Sequence, residues 1–139
     1  NTQMTPLHNA LLTASIANGG VLMKPYLIDR VETSEGEEVK KFLPATYGEL
    51  MSASEADALS GMMRQVVTEG TGSAVRTDAY AVAGKTGSAE FEKGKESHTG
   101  FAPAEDPKLV VTVLVEEGGS GGREAAPIAR ALFDLYFSK

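Results

Sequence analysis

The residues best equipped for chemistry stand together at Lys85-Thr86-Gly87-Ser88. They supply one ammonium, two hydroxyls and, between them, a position without a side chain. They lie within the stretch Ala79-Tyr-Ala-Val-Ala-Gly-Lys-Thr-Gly-Ser-Ala-Glu90, which opens on small and β-branched residues. Side chains alternate along a strand, so Lys85 and Gly87 share one face and Thr86 takes the other. A glycine inside a strand weakens it and often marks the close approach of a ligand or another backbone. The combination suggests a sheet edge serving as a rail for an anionic, peptide-like ligand. A plainer reading stands beside it: a buried strand that happens to hold a Lys and a Gly. A phosphate loop is excluded, because that motif needs a glycine where this chain has Ala79, and no helical pattern follows.

The rest of the chain must position that stretch. At 139 residues it is most simply one domain, long enough to bury about two-thirds of its unfolded surface. A net charge of -6 and a pI near 4.9 argue against a nucleic-acid footprint, which needs a basic face. With no cysteine there can be no disulfide or thiolate metal site. His8 and His98 are single histidines, far apart in sequence; both read as structural or solvent-facing, and neither metal nor cofactor is expected. No apolar run approaches the roughly 20 residues of a membrane helix. The chain opens on Asn1 and enters a helical pattern almost at once, as a piece of something longer would.

In order, the first expected element is a helix. Thr5 can cap it, Pro6 suits its first position, and Leu7, Ala10, Leu11, Ala14 and Ala17 recur at helical spacing before Asn18-Gly19-Gly20 stops it. Val21 to Lys41 reads as a solvated hairpin around Ser34-Glu35-Gly36-Glu37. Ser52-x-x-Glu55 is a capping box opening a helix with the stripe Leu59, Met62, Met63, Val66 and Val67. Gly70-Thr-Gly-Ser-Ala74 is a loop, followed by the Lys85 strand and a charged loop, Glu92-Lys-Gly-Lys-Glu96. Thr99-Gly-Phe-Ala102 is left as an unusually short second strand. Leu109 to Val115 reads as a strand covered on both faces, the glycines at 118, 119, 121 and 122 as a flexible connection, and Ala125 to Phe137 as a helix burying Ile128, Ala131, Leu132 and Leu135. The fold class is therefore α+β, an antiparallel sheet of three strands packed with helices.

Six segments in order then carry a resemblance: Thr5-Pro6-Leu7-His8, Ala17-Asn18-Gly19-Gly20, Gly70-Thr71-Gly72, Ala83-Gly84-Lys85-Thr86-Gly87-Ser88-Ala89-Glu90, Gly100-Phe101-Ala102-Pro103 and Ala125-Ala126-Pro127-Ile128-Ala129. Over nearly its whole length the chain resembles the C-terminal part of the transpeptidase domain of penicillin-binding proteins, most like class B. The resemblance implies that residues 1–139 are a partial serine β-lactamase/penicillin-binding-protein transpeptidase fold. In that family the Lys-Thr-Gly strand lines the acyl-acceptor groove. Lys85 would supply positive potential to the substrate carboxylate and to the proton network around the nucleophile. Thr86 and Ser88 would offer hydroxyls to that carboxylate, and the backbone N–H of Ser88 would be one of two oxyanion donors. Gly87 would leave room for the substrate to pair with the strand.

The departures are as informative. No serine has a lysine three residues on, and no asparagine has a serine two before it, so the family's Ser-x-x-Lys nucleophile motif and its Ser-x-Asn motif are both missing. Only Thr99 intervenes between His98 and Gly100, where family members carry aromatic residues. The resemblance thus implies one wall of an active site in a peptidoglycan D,D-transpeptidase, with D-Ala-D-Ala stem peptides and β-lactams as partners of the complete domain, and with the rest of that domain or a second copy covering the sheet edge. It places the parent, membrane-anchored, at the extracytoplasmic face of a bacterial membrane. A non-catalytic peptidoglycan-peptide binding module on the same fold is the alternative; a third reading is a self-standing α+β domain whose Lys85 pairs with an acidic neighbour.

Overall fold

A computed structural model describes residues 4–89, 94–116 and 120–138, with the backbone alone at Ser88 and Ala89. The first helix, α1 (Pro6–Ala17), starts as its residues dictate: the Thr5 hydroxyl accepts from the His8 N–H at 3.1 Å. It stops at glycines with φ of 63° and 93° at positions 19 and 20. Gly20 has a second reason to be glycine, since a Cβ there would lie 2.0 Å from the Met51 carbonyl oxygen. The buried residues of α1 are Thr13 and Ser15, while Leu7, expected on its inner face, is exposed. Their hydroxyls make this tolerable: Ser15 donates to the Leu12 carbonyl at 2.8 Å, and Thr13 lies 2.8 Å from the Thr99 hydroxyl.

A lobe of short strands follows. β1 (Val21–Met23) and β4 (Thr46–Glu49) pair antiparallel, and β2 (Arg30–Glu32) pairs with β3 (Glu38–Lys41) in a second two-stranded sheet. The β2–β3 hairpin lies where the turn cluster predicts it, around Gly36 at φ 86° and the Thr33 hydroxyl, which accepts from the Glu35 and Glu37 N–H groups. Val21 does not belong to that hairpin. It opens β1, whose partner Thr46-Tyr-Gly-Glu49 shows no alternating pattern that would announce a strand.

The capping box at Ser52 is present in both directions and opens α2 (Ala53–Thr68). Its buried line is Ala56, Met63 and Val67; Leu59 and Met62 are exposed, so the inner stripe is narrower than the apolar spacing suggests. Three strands then form the main sheet in the order β5 (Ala83–Ala89), β6 (Lys95–Ala102), β7 (Leu109–Glu116), all antiparallel. The middle strand is therefore eight residues long, not four. Residues 95–97 join it despite their polarity because each has a cross-strand partner: Lys95 faces Glu116 with an ion pair of 3.1 Å, and Glu96 is buried. Glu90, the first two residues of the charged loop (Glu92 and Lys93), and Gly118 and Gly119 lie outside the described residues.

Each face of this sheet has its own core. On one side Val111 and Ala102 pack with Val67, Val75 and Val82 against Ala126, Ala129 and Phe133 of α3 (Ala125–Phe137). On the other, Ala83 and Phe101 pack with Met63, and with Ile16 and Ala17 of α1. β7 is thus covered on both faces, as its unbroken apolar run requires, while forming one edge of the sheet. α3 presents a different side from the expected one. Ala125, Ala126, Ala129 and Phe133 are buried, whereas Ile128, Leu132 and Leu135 are exposed. This helix is apolar on both sides, and the sheet takes the alanine side, which lets the two backbones come closer.

Candidate functional site

β5 is the other edge of the sheet: among the described residues no strand pairs with its outer side. Antiparallel pairing alternates, so every second residue of an edge strand turns its N–H and C=O away from its neighbour. The register puts Lys85 opposite Thr99, Thr86 opposite His98, Gly87 opposite Ser97 and the Ser88 backbone opposite Glu96. Lys85 and Thr86 accordingly occupy opposite faces. The Lys85 side chain is exposed, and its ammonium donates to the Thr86 carbonyl oxygen. Thr86 is only 9% exposed and its hydroxyl lies 2.6 Å from that of Thr71. The Ser88 hydroxyl lies outside the described side chains.

Glycines let this strand be approached closely. A Cβ at Gly84 would sit 2.8 Å from His98 Nε2, and one at Gly87 would sit 2.6 Å from Ser97 Oγ. On β6, a Cβ at Gly100 would meet the Ala83 carbonyl oxygen at 2.6 Å, a backbone atom that cannot step aside. Behind Lys85 a row of hydroxyls crosses the sheet, with Thr99 Oγ1 2.8 Å from Thr13 and 2.7 Å from Thr112.

His98 is structural, not solvent-facing. It is fully buried beside Gly84 and Gly100, and neither ring nitrogen has a hydrogen-bond partner among the described residues. Burial, reinforced by the Lys85 charge, pushes its pKa down to about 4, so the imidazole is neutral at pH 7. His8 is exposed. Among the described residues, no cluster of three His, Cys, Asp or Glu could hold a metal ion, and no helix is long and apolar enough to cross a membrane.

Two features escaped the sequence. Thr71 is one: Gly70 and Gly72 fold tightly against Val66 at the end of α2, where added Cβ atoms would meet the Val66 carbonyl oxygen at 3.0 Å and its Cγ1 at 3.2 Å. That turn aims the residue between them at β5, and the Gly-Thr-Gly triplet directly after a helix was the available signal. The other is the turn before α3. Gly121, expected in a flexible connection, is buried, and a Cβ there would lie 2.6 Å from the Ser97 carbonyl oxygen and 2.9 Å from that of Gly87. Gly122 presses in the same way on the Thr71 carbonyl oxygen, at 2.6 Å.

The site can attract and orient an anion along a strand edge, and none of its described side chains forms a nucleophile–base pair. Residues 2–134 match the penicillin binding protein transpeptidase domain, and the chain belongs to that family. Among its relatives, the peptidoglycan D,D-transpeptidase PbpA of Mycolicibacterium smegmatis is 36% identical over 141 residues, covering 92% of this chain and 28% of that protein. The peptidoglycan D,D-transpeptidase MrdA of Haemophilus influenzae is 34% identical, covering 97% and 24%. The chain thus spans about a quarter of the length of these relatives, as their C-terminal part. In structure it superposes on the D,D-transpeptidase domain of a peptidoglycan glycosyltransferase from Eggerthella lenta with a TM-score of 0.92 at 34% identity, over 99% of this chain and 33% of that one. It superposes likewise on penicillin-binding protein A of M. tuberculosis, solved as a ceftriaxone acyl-enzyme complex, with a TM-score of 0.85 at 33% identity, over 94% and 32%.

Proposed function

We propose that this chain is the substrate-binding wall of a peptidoglycan D,D-transpeptidase, supplying the β5 edge while the serine nucleophile resides in a portion outside it. The observation that carries the reading is the exposed Lys85 ammonium on an edge strand whose outer side has no partner among the described residues. A stem peptide ending in D-Ala-D-Ala, or a β-lactam, lies along that edge with its carboxylate toward Lys85. The hydroxyls of Thr86 and Ser88 contribute further donors. The backbone N–H of Ser88 stabilises the oxyanion of the acyl-transfer step, an interaction worth about 2.7–4 kcal/mol. The chain's contribution is electrostatic and geometric, and the covalent step belongs to the serine of the complete domain. The complete protein acts in the cell wall at the outer face of the bacterial membrane, to which it is anchored.

Calorimetric titration with diacetyl-L-lysyl-D-alanyl-D-alanine and with its C-terminal amide tests this. Saturable binding of the acid, lost with the amide, is expected; equal affinity for both, or none for either, overturns it. Fluorescent penicillin separates wall from enzyme: the chain by itself stays unlabelled, and covalent labelling would mean that it holds its own nucleophile.

A further inference from the structure

Thr71 has no role in the reading above, and its hydroxyl, paired with that of Thr86, joins the loop after α2 to the site strand. We propose that Thr71 is a positioning residue that sets the direction in which Thr86 donates its hydroxyl proton to a bound carboxylate. The inference rests on the carboxylate reading and adds to it a residue outside the Lys-Thr-Gly strand.

A threonine hydroxyl has one proton and two lone pairs. At 2.6 Å one of the two hydroxyls donates to the other. A carboxylate only accepts, so a carboxylate bonded to Thr86 must take the Thr86 proton. The contact with Thr71 is then filled by the Thr71 proton, giving a chain from Thr71 to Thr86 to the anion. In such a chain each bond polarises the next, and the last donor is strengthened. The opposite order, with Thr86 donating to Thr71, presents only lone pairs to the anion and repels it.

Thr71 is built to hold this geometry. Gly70 and Gly72 wrap against Val66, and the Gly72 N–H donates to the Val66 carbonyl oxygen at 3.0 Å. Gly122 packs on the Thr71 carbonyl oxygen from the other side. A side chain held at both ends of its peptide, with its χ1 restricted by β-branching, keeps its hydroxyl aimed at Thr86.

The test is an amide chemical-shift titration of the chain with diacetyl-L-lysyl-D-alanyl-D-alanine, comparing wild type, Thr71→Val and Thr71→Ser. Thr71→Val keeps the volume and removes the hydroxyl, so its dissociation constant should rise about three- to tenfold, the value of one hydrogen bond. Thr71→Ser restores the hydroxyl and should bind like wild type, a rescue that a purely structural role would not require. Wild-type binding unchanged in Thr71→Val overturns the positioning role and leaves the carboxylate reading standing; no wild-type binding overturns both. If Thr71→Val does not fold, the wild type itself decides. A solvent-protected hydroxyl proton with contacts to the methyl groups of Thr71 and Thr86, shifting as peptide is added, supports the proposal. A hydroxyl proton unmoved by saturating peptide refutes it.

Discussion

The main sheet and the β1–β4 lobe are both antiparallel and both contain glycines, yet they are built on opposite terms. In the sheet, β6 lies between two strands and two helices cover its faces, so glycines at 84, 87 and 100 stand where a side chain has no space. In the lobe, Gly36 and Gly48 have no atom near an added Cβ, and Leu27, Val39, Leu43 and Tyr47 are largely exposed. Glycine thus does conformational work at the turn of one region and makes room in the other. The candidate site lies in the region where room is scarce, because an edge strand can present fixed donors only if everything behind it is immobile.

The largest expected contrast comes from the same substitution in both regions. Gly100→Ala drives a Cβ into the Ala83 carbonyl oxygen and should cost about 4–5 kcal/mol or more, enough to unfold the chain. Gly48→Ala in β4 should stay within about 0.5 kcal/mol. Urea denaturation followed by circular dichroism measures both, and equal costs would erase the distinction. Next comes truncation of an apolar side chain. Phe133→Ala, fully buried under the sheet, should cost about 3–5 kcal/mol, whereas Leu27→Ala, fully exposed, should change stability by less than about 0.5 kcal/mol.

Acid should act on the sheet first. His98 titrates near 4 in the folded chain and near 6.5 when unfolded, so the unfolded state takes its proton first as pH falls. The stability from keeping His98 neutral is complete above pH 6.5, declines between 6.5 and about 4, and is flat below. The loss is roughly 3 kcal/mol. In His98→Phe that portion of the slope should vanish, and a slope as steep as wild type would show that His98 is not its source. The smallest effect is where the two regions should agree. The exposed pairs Lys95–Glu116 in the sheet and Arg30–Glu32 in the lobe should each contribute less than about 1 kcal/mol in double-mutant cycles at low salt.

Features encoded within a few residues were readable from the sequence. The Ser52–Glu55 box, the Thr5-Pro6 start and the Asn18-Gly19-Gly20 stop depend on local spacing alone, and each is where it was expected. So was the alternation that sends Lys85 and Thr86 to opposite faces. What escaped depends on partners distant in sequence. Residues 95–97 look like a loop until Glu116 and its neighbours lie beside them. α3 carries apolar residues on two sides, and only the sheet decides which is buried. Thr71 meets Thr86 across 15 residues, and His98 is read as unremarkable until Gly84 and Gly100 close around it.

An amide chemical-shift map with the D-Ala-D-Ala peptide tests the role of the β5 edge most directly, in wild type and in Lys85→Met. Shifts confined to residues 84–88 and 70–72, and lost in Lys85→Met, are predicted. Shifts centred on the lobe, or a map that survives the loss of the ammonium, would contradict it.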